Sequence, residues 1–118
     1  MRTEHIHLVG ATPGQRHSLT VLRFGAGNAG PKATIQAALH ADEVPAMLVA
    51  QKLRGLLAKL EAEGQMRGEV VLVPYANPLG LAQQLLGQHQ GRFDLRDGVN
   101  FNRNLADRKS TRLNSSHG

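Results

Sequence analysis

The stretch Ala37-Ala38-Leu39-His40-Ala41-Asp42-Glu43-Val44-Pro45 decides how the rest of the chain is read. A run of small and apolar residues, Ala33 to Leu39, ends at His40, and a helix pattern starts three residues later. His40 and Glu43 are spaced i, i+3 across that junction. A turn there aims an imidazole and a carboxylate at one point beyond the strand's C-terminal end, where open α/β sheets place their ligand crevices. His nitrogen with carboxylate oxygen is a normal partial ligand set for Zn²⁺. The competing reading is a surface His beside a Glu that favours the positive end of the helix dipole.

Outward from this stretch the pattern is that of an α/β domain. Upstream, Lys32 to Leu39 reads as a buried central strand, with small and apolar residues on both faces. Downstream, Asp42 is a candidate helix cap, and Pro45 is tolerated in the first turn. Val49, Leu53, Leu56, Leu57 and Leu60 then recur at spacings of three and four, an apolar stripe expected to pack in the core. Gly64 is the expected stop. Glu69-Val70-Val71-Leu72-Val73-Pro74 is a β-branched strand, so the three elements form a βαβ unit.

The flanks are simpler. Met1 to Val9 alternates weakly, with His5 and His7 on one face, and suits a short strand; Gly10 to Gln15 is turn chemistry. Ser18 to Phe24 is a further strand. Gly25-Ala26-Gly27-Asn28-Ala29-Gly30 has the spacing of a dinucleotide fingerprint, but Pro31 and a strand follow instead of a helix, so that reading fails. After the Asn77-Pro78 loop, Leu81 to Gln88 is expected to be a short helix. From Gly87 to Ala106 the chain reads as loop, and so long a loop is usually functional or disordered. It carries Arg92, Arg96, Asn102 and Arg103.

The 118 residues suffice for one small domain. Without cysteine, neither a disulfide framework nor a thiolate metal site can form. No signal-peptide core or membrane-length apolar run is seen, so a cytoplasmic protein without membrane partners is expected. The net charge of +5 suggests nucleic acid, but part of it belongs to residues 107–117. Asp107-Arg108-Lys109-Ser110-Thr111-Arg112-Leu113-Asn114-Ser115-Ser116-His117 is the translation of a common sequencing adapter, and it holds three basic residues and one acidic one. The remainder carries an ordinary +3, and no aromatic-interleaved basic strand supports nucleic-acid binding. Residues 107–118 are therefore read as an artefactual tail, and 1–106 as the N-terminal part of a longer protein.

Three groups of residues now stand together: His40 with Glu43, the Asn-Pro loop, and the arginines and Asn102 of the long loop. A zinc hydrolase needs a metal that polarises a carbonyl and activates water, donors for the oxyanion, and a grip on any substrate carboxylate. His40-Ala41-Asp42-Glu43, Val73-Pro74-Tyr75-Ala76-Asn77-Pro78-Leu79-Gly80, Gly91-Arg92-Phe93 and Asn100-Phe101-Asn102-Arg103-Asn104 together resemble the succinylglutamate desuccinylase/aspartoacylase family, a branch of the zinc carboxypeptidase superfamily. The resemblance runs from about Lys32 to Asn104.

The resemblance implies a three-layer α/β fold with a mixed sheet flanked by helices, and one Zn²⁺. It makes His40 and Glu43 two of three protein ligands, and Asn102 with Arg103 the grip on the substrate carboxylate. Arg92 becomes the residue that polarises the scissile carbonyl, with Arg96 as the alternative. The implied reaction is hydrolysis, by metal-activated water, of an amide or ester bond in a small N-acyl amino acid or related carboxylate. Two departures stand out. Ala38 and Ala41 occupy positions where the family usually has glycine. The family's third ligand, a His, and its catalytic Glu lie beyond Asn104; His117 is in the tail and is not taken for a ligand. The 118-residue chain is therefore expected to be inactive by itself. The alternative function is a non-catalytic α/β binding module with a vestigial metal pair.

Overall fold

The computed structural model describes residues 1–10, 12–25 and 30–103. The artefactual-tail reading, the end of the long loop and most of the Gly25–Gly30 segment lie outside the described residues.

Strands β1 (Arg2–Val9) and β2 (Arg16–Phe24) form an antiparallel hairpin in which Arg2 faces Arg23 and Val9 faces Arg16. The turn closes with Gly10 N–H donating to the Gln15 carbonyl. Strand β3 (Lys32–Gln36) leads to His40, helix α1 (Val44–Ala62) follows, and β4 (Glu69–Val73) returns parallel to β3. Strand β4 also pairs antiparallel with β2, giving a mixed four-stranded sheet in the order β1-β2-β4-β3.

The expectation for β3 is corrected here: β4, not β3, is central. Strand β3 lies at one edge of the described sheet, and its five residues are exposed. The run of small residues from Ala33 to Leu39 serves instead to bring the chain close to β4 and then turn it.

The core lies between α1 and the sheet. Leu22, Phe24 and Leu72 from β2 and β4 meet Ala50 and Leu57 from α1, with Leu53, Ala58, Met66 and Val70 packed around them. Phe24 and Leu72 are wholly buried, which removes their apolar area from water at ~25 cal/mol per Å². The apolar stripe of α1 needs correction. The face that meets the sheet is centred on Ala50, whose small side chain lets the helix approach. Leu53 and Leu57 follow it inward, while Val49 and Leu56 turn outward.

The ends of α1 also differ in detail. Asp42 does not cap the helix; Glu43 occupies the cap position with no side-chain cap bond, and Pro45 sits in the first turn. His40 already accepts from Glu43 N–H at 3.0 Å, so the chain turns tightly and the helix starts one residue later than a cap at Asp42 allows. At the other end Gly64, at φ +70°, donates to the Glu61 carbonyl while Gln65 donates to Leu60. That pair of bonds is the Schellman closure, which needs a left-handed residue at this position.

The expected helix over Leu81–Gln88 is replaced by two elements. A short helix α2 (Pro78–Leu81) forms earlier, capped by Asn77, whose side chain accepts from Gly80 N–H. The two-residue strands β5 (Gln84–Leu85) and β6 (Gln88–His89) then make a hairpin. Its turn residues Leu86 and Gly87 have φ of +51° and +79°, the doubly positive turn that matches strand twist.

Candidate active site

The site forms where three loops meet beyond the C-terminal ends of β3 and β4. The first carries His40 and Glu43. It is held against the second, the Asn-Pro loop, by Ala37 N–H bonding to the Val73 carbonyl and Ala76 N–H bonding to Ala37. Asn77, itself buried, donates from Nδ2 to the Leu39 carbonyl at 2.8 Å, one residue before His40. The third loop contributes a backbone bond from Ala41 N–H to Gly91 at 2.8 Å. This approach requires glycine, because a Cβ on Gly91 would lie 2.3 Å from the Asp42 nitrogen.

Of the two alanines at family glycine positions, Ala38 keeps a glycine-like backbone, with φ +62°. Ala41 does not; it is buried, and its methyl lies against Gly80. The unusual backbone at Ala38 is what turns the chain out of β3 toward His40.

His40 is 8% exposed and its ring is flanked by two oxygens. Nδ1 lies 2.7 Å from Oε1 of Glu43, and Nε2 lies 2.6 Å from Oδ1 of Asn100. A carboxylate oxygen and an amide oxygen both accept. A neutral imidazole has one N–H, so it satisfies only one of them. His40 and Glu43 offer the ligand types that Zn²⁺ takes, an imidazole nitrogen and a carboxylate oxygen. Among the described residues no third His, Cys, Asp or Glu joins them.

Arg92 reaches the same Glu43 oxygen from Nη2 at 3.3 Å, with both side chains half-exposed. Arg96 is engaged elsewhere. Its guanidinium makes a forked contact with the buried carboxylate of Asp94, at 2.8 Å from Nη2 to Oδ2 and 3.0 Å from Nε to Oδ1. That bonding raises the Arg96 pKa above its usual value. Asn102 and Arg103 are exposed. They are tied to the site through Asn100, whose side chain accepts from Asn102 N–H at 2.9 Å and whose carbonyl accepts from Arg103 N–H at 3.1 Å. The Arg103 guanidinium folds back onto the Asn102 carbonyl at 2.8 Å.

Sequence reasoning missed three organisers of the site, of which Asn77 and Gln83 are buried. Asn77 was seen only as part of a loop motif, and Asn100 only as a flank of Asn102-Arg103. Gln83 had no signal at all. Its Nε2 donates to the Gln90 and Phe93 carbonyls, and its Oε1 accepts from Leu95 N–H, so it shapes the loop around Arg92.

Fold and site together define a mixed α/β domain with a His–Glu pair at a strand end. A family profile described as the succinylglutamate desuccinylase/aspartoacylase catalytic domain matches residues 29–117. A crystal structure of a succinylglutamate desuccinylase/aspartoacylase family protein from Shewanella amazonensis is similar, with TM-score 0.74 and 39% identity over 87% of this chain and 27% of that one. A second, from Shewanella frigidimarina and assigned the same description, has TM-score 0.71 and 34% identity over 86% of this chain and 27% of that one. The chain thus spans about a quarter of the length of these solved relatives. No curated protein matches it. The chain belongs to the succinylglutamate desuccinylase/aspartoacylase family of hydrolases, within the zinc carboxypeptidase superfamily.

Proposed function

We propose that the protein is a zinc-dependent deacylase, cleaving the amide or ester bond of a small N-acyl amino acid or related carboxylate. The observation that carries this reading is the approach of His40 Nδ1 to Glu43 Oε1 with Arg92 on the same carboxylate oxygen. Zn²⁺ held at this pair would supply Lewis-acid polarisation of the acyl carbonyl and would lower the pKa of water at the site.

The chain's own residues supply the rest. His40 and Glu43 would hold the cation. Arg92, on the same Glu43 oxygen, would present its guanidinium to the oxyanion that develops on the acyl carbonyl. Arg103 releases the Asn102 carbonyl and, with the Asn102 side-chain amide, grips the substrate carboxylate by paired N–H donors. Catalytic zinc sites normally use three protein ligands, so a third ligand and a general base come from residues beyond those described.

The test is metal content and turnover of the intact protein with a panel of N-acyl amino acids. One bound Zn²⁺ per chain and chelator-sensitive hydrolysis are expected. His40→Ala and Glu43→Ala should each lose the metal and the activity. Turnover that survives both substitutions would remove the zinc reading.

A further inference from the structure

We propose that the face of the sheet opposite α1 carries a second small-molecule site, in which His17 and Arg96 hold a short aliphatic carboxylate.

The site starts from the alternation of β2. Leu22 and Phe24 pack with α1, so His17, Leu19 and Val21 stand on the other face. His17 pairs with Leu8 across the hairpin, and the short helix α2 packs against β2. Between hairpin and helix lies a cavity of about 240 Å³. Leu8, Val9, Pro78 and Leu79 supply its apolar walls, while His17 and Arg96 bring polar groups to it. That volume is below the roughly 300–1,000 Å³ of pockets that take drug-sized ligands, so the occupant is small.

Two observations point to its chemistry. Nε2 of His17 is shielded from solvent and has no hydrogen-bond partner among the described residues. Buried polar atoms are nearly always paired, and an orphan calls for an explanation such as a bound molecule. Arg96 is the second. Its Nε and Nη2 are committed to Asp94, which leaves the Nη1 N–H pair free among the described residues, on a side chain more than half exposed. Asn77 also lines the cavity, but its amide is committed to the Leu39 carbonyl and to Gly80 N–H. The available polar groups are therefore a guanidinium edge and an imidazole that can donate from Nε2. Donors above apolar walls suit a carboxylate with a short alkyl chain: the head accepts the N–H bonds and the tail covers Leu8, Pro78 and Leu79. Asp94 offsets the charge of Arg96, so the site takes a single carboxylate rather than a polyanion.

Neither His17 nor Arg96 belongs to the metal pair or to the Asn102–Arg103 grip, so this site stands apart from the zinc reading. An occupant would nevertheless sit against Asn77, the side chain that holds Leu39 beside His40.

The probe is butyrate, titrated into the intact protein while the His17 ring signals are followed by NMR. Those signals are assigned by their loss in His17→Leu. A saturable shift is expected in wild type and also in Arg103→Ala, which lacks the carboxylate grip of the candidate active site. Butyramide, of the same shape without the charge, should bind about tenfold or more weakly, the worth of one hydrogen bond to a charged group. By calorimetry, His17→Leu and the cavity-filling Leu8→Phe should each weaken butyrate by a similar factor. His17→Gln keeps an N–H donor and should recover part of the affinity. His17→Leu removes a nitrogen that has no partner, so without butyrate it should be at least as stable as wild type. The proposal is overturned by the absence of a shift, by equal binding of butyramide, by a shift lost in Arg103→Ala, or by a glutamine variant as weak as the leucine one. A leucine variant less stable than wild type would also overturn it, because Nε2 would then serve the fold.

Discussion

The side-chain nitrogen of Asn77 donates to the carbonyl of Leu39 at 2.8 Å, so a buried residue of the second loop holds the residue next to His40. The same side chain accepts from Gly80 N–H at 2.9 Å and caps α2. Asn77→Ala leaves the Leu39 carbonyl and the Gly80 N–H without these partners. A buried group left unsatisfied costs about 1–3 kcal/mol, and loss of an N-cap about 1 kcal/mol. Urea denaturation should show a loss in that range, with weaker Zn²⁺ binding because His40 is less firmly placed.

Gly91→Ala should be damaging for a different reason. The added methyl meets backbone, at 2.3 Å from the Asp42 nitrogen, and backbone there cannot step aside without moving His40 and Glu43. Overpacking of this kind costs about 1–3 kcal/mol. Thermal unfolding should fall together with metal affinity. Stability unchanged from wild type would mean the two loops are farther apart than described.

At Ala38 the backbone lies at φ +62°. A left-handed L-residue costs ~1–2 kcal/mol, which glycine avoids, but glycine also has a more costly unfolded-state entropy and forfeits a buried methyl. These nearly cancel, so Ala38→Gly should stay within about 1 kcal/mol of wild type. Ala38→Val adds β-branching to a conformation that disfavours it and should lose more than that. Chemical denaturation of the two variants side by side checks the asymmetry.

The two arginines should separate cleanly. Arg92→Ala removes a donor beside Glu43 and should lower kcat by about 10²–10³-fold, the typical loss for one oxyanion donor, with little change in stability. Arg96→Ala strips the buried Asp94 carboxylate of its forked partner. It should reduce stability and affect catalysis less. A larger kcat loss in Arg96→Ala than in Arg92→Ala would reverse the assignment of roles.

Glu61 offers a pH test. Its carboxylate accepts from the Met1 ammonium group and from Gly25 N–H at 2.7 Å, and these bonds hold its pKa below the ordinary 4.5. A depressed carboxyl pKa stabilises the fold above the unfolded-state value, and the effect disappears as pH falls through the folded one. Wild type should therefore be more stable than Glu61→Gln at pH 7. The difference should shrink as the pH falls below about 4.5. A stability gap that is flat from pH 7 to pH 2 would show that the ion pair contributes nothing.

Much of this molecule was legible from local patterns. The strands β2 and β4, the helix between β3 and β4, and its glycine stop follow from periodicity and backbone preference, which act over a few residues. The pairing of His40 with Glu43 follows from a three-residue spacing across a turn. The residues from Leu81 to Gln88 were misread because a short apolar run beside glutamines suits helix and hairpin alike; the positive φ at Leu86 and Gly87 decided for the hairpin. Whether β3 or β4 is central, and which side of α1 faces inward, depended on how β2 enters the sheet. The side chains that hold His40 and its neighbour Leu39 were the least visible part. Asn77 and Asn100 lie 37 and 60 residues downstream, and nothing in their neighbours marks them as anything but loop asparagines. Only the fold, by bringing three loops to one end of the sheet, shows that their amides meet the Leu39 carbonyl and the buried His40 imidazole.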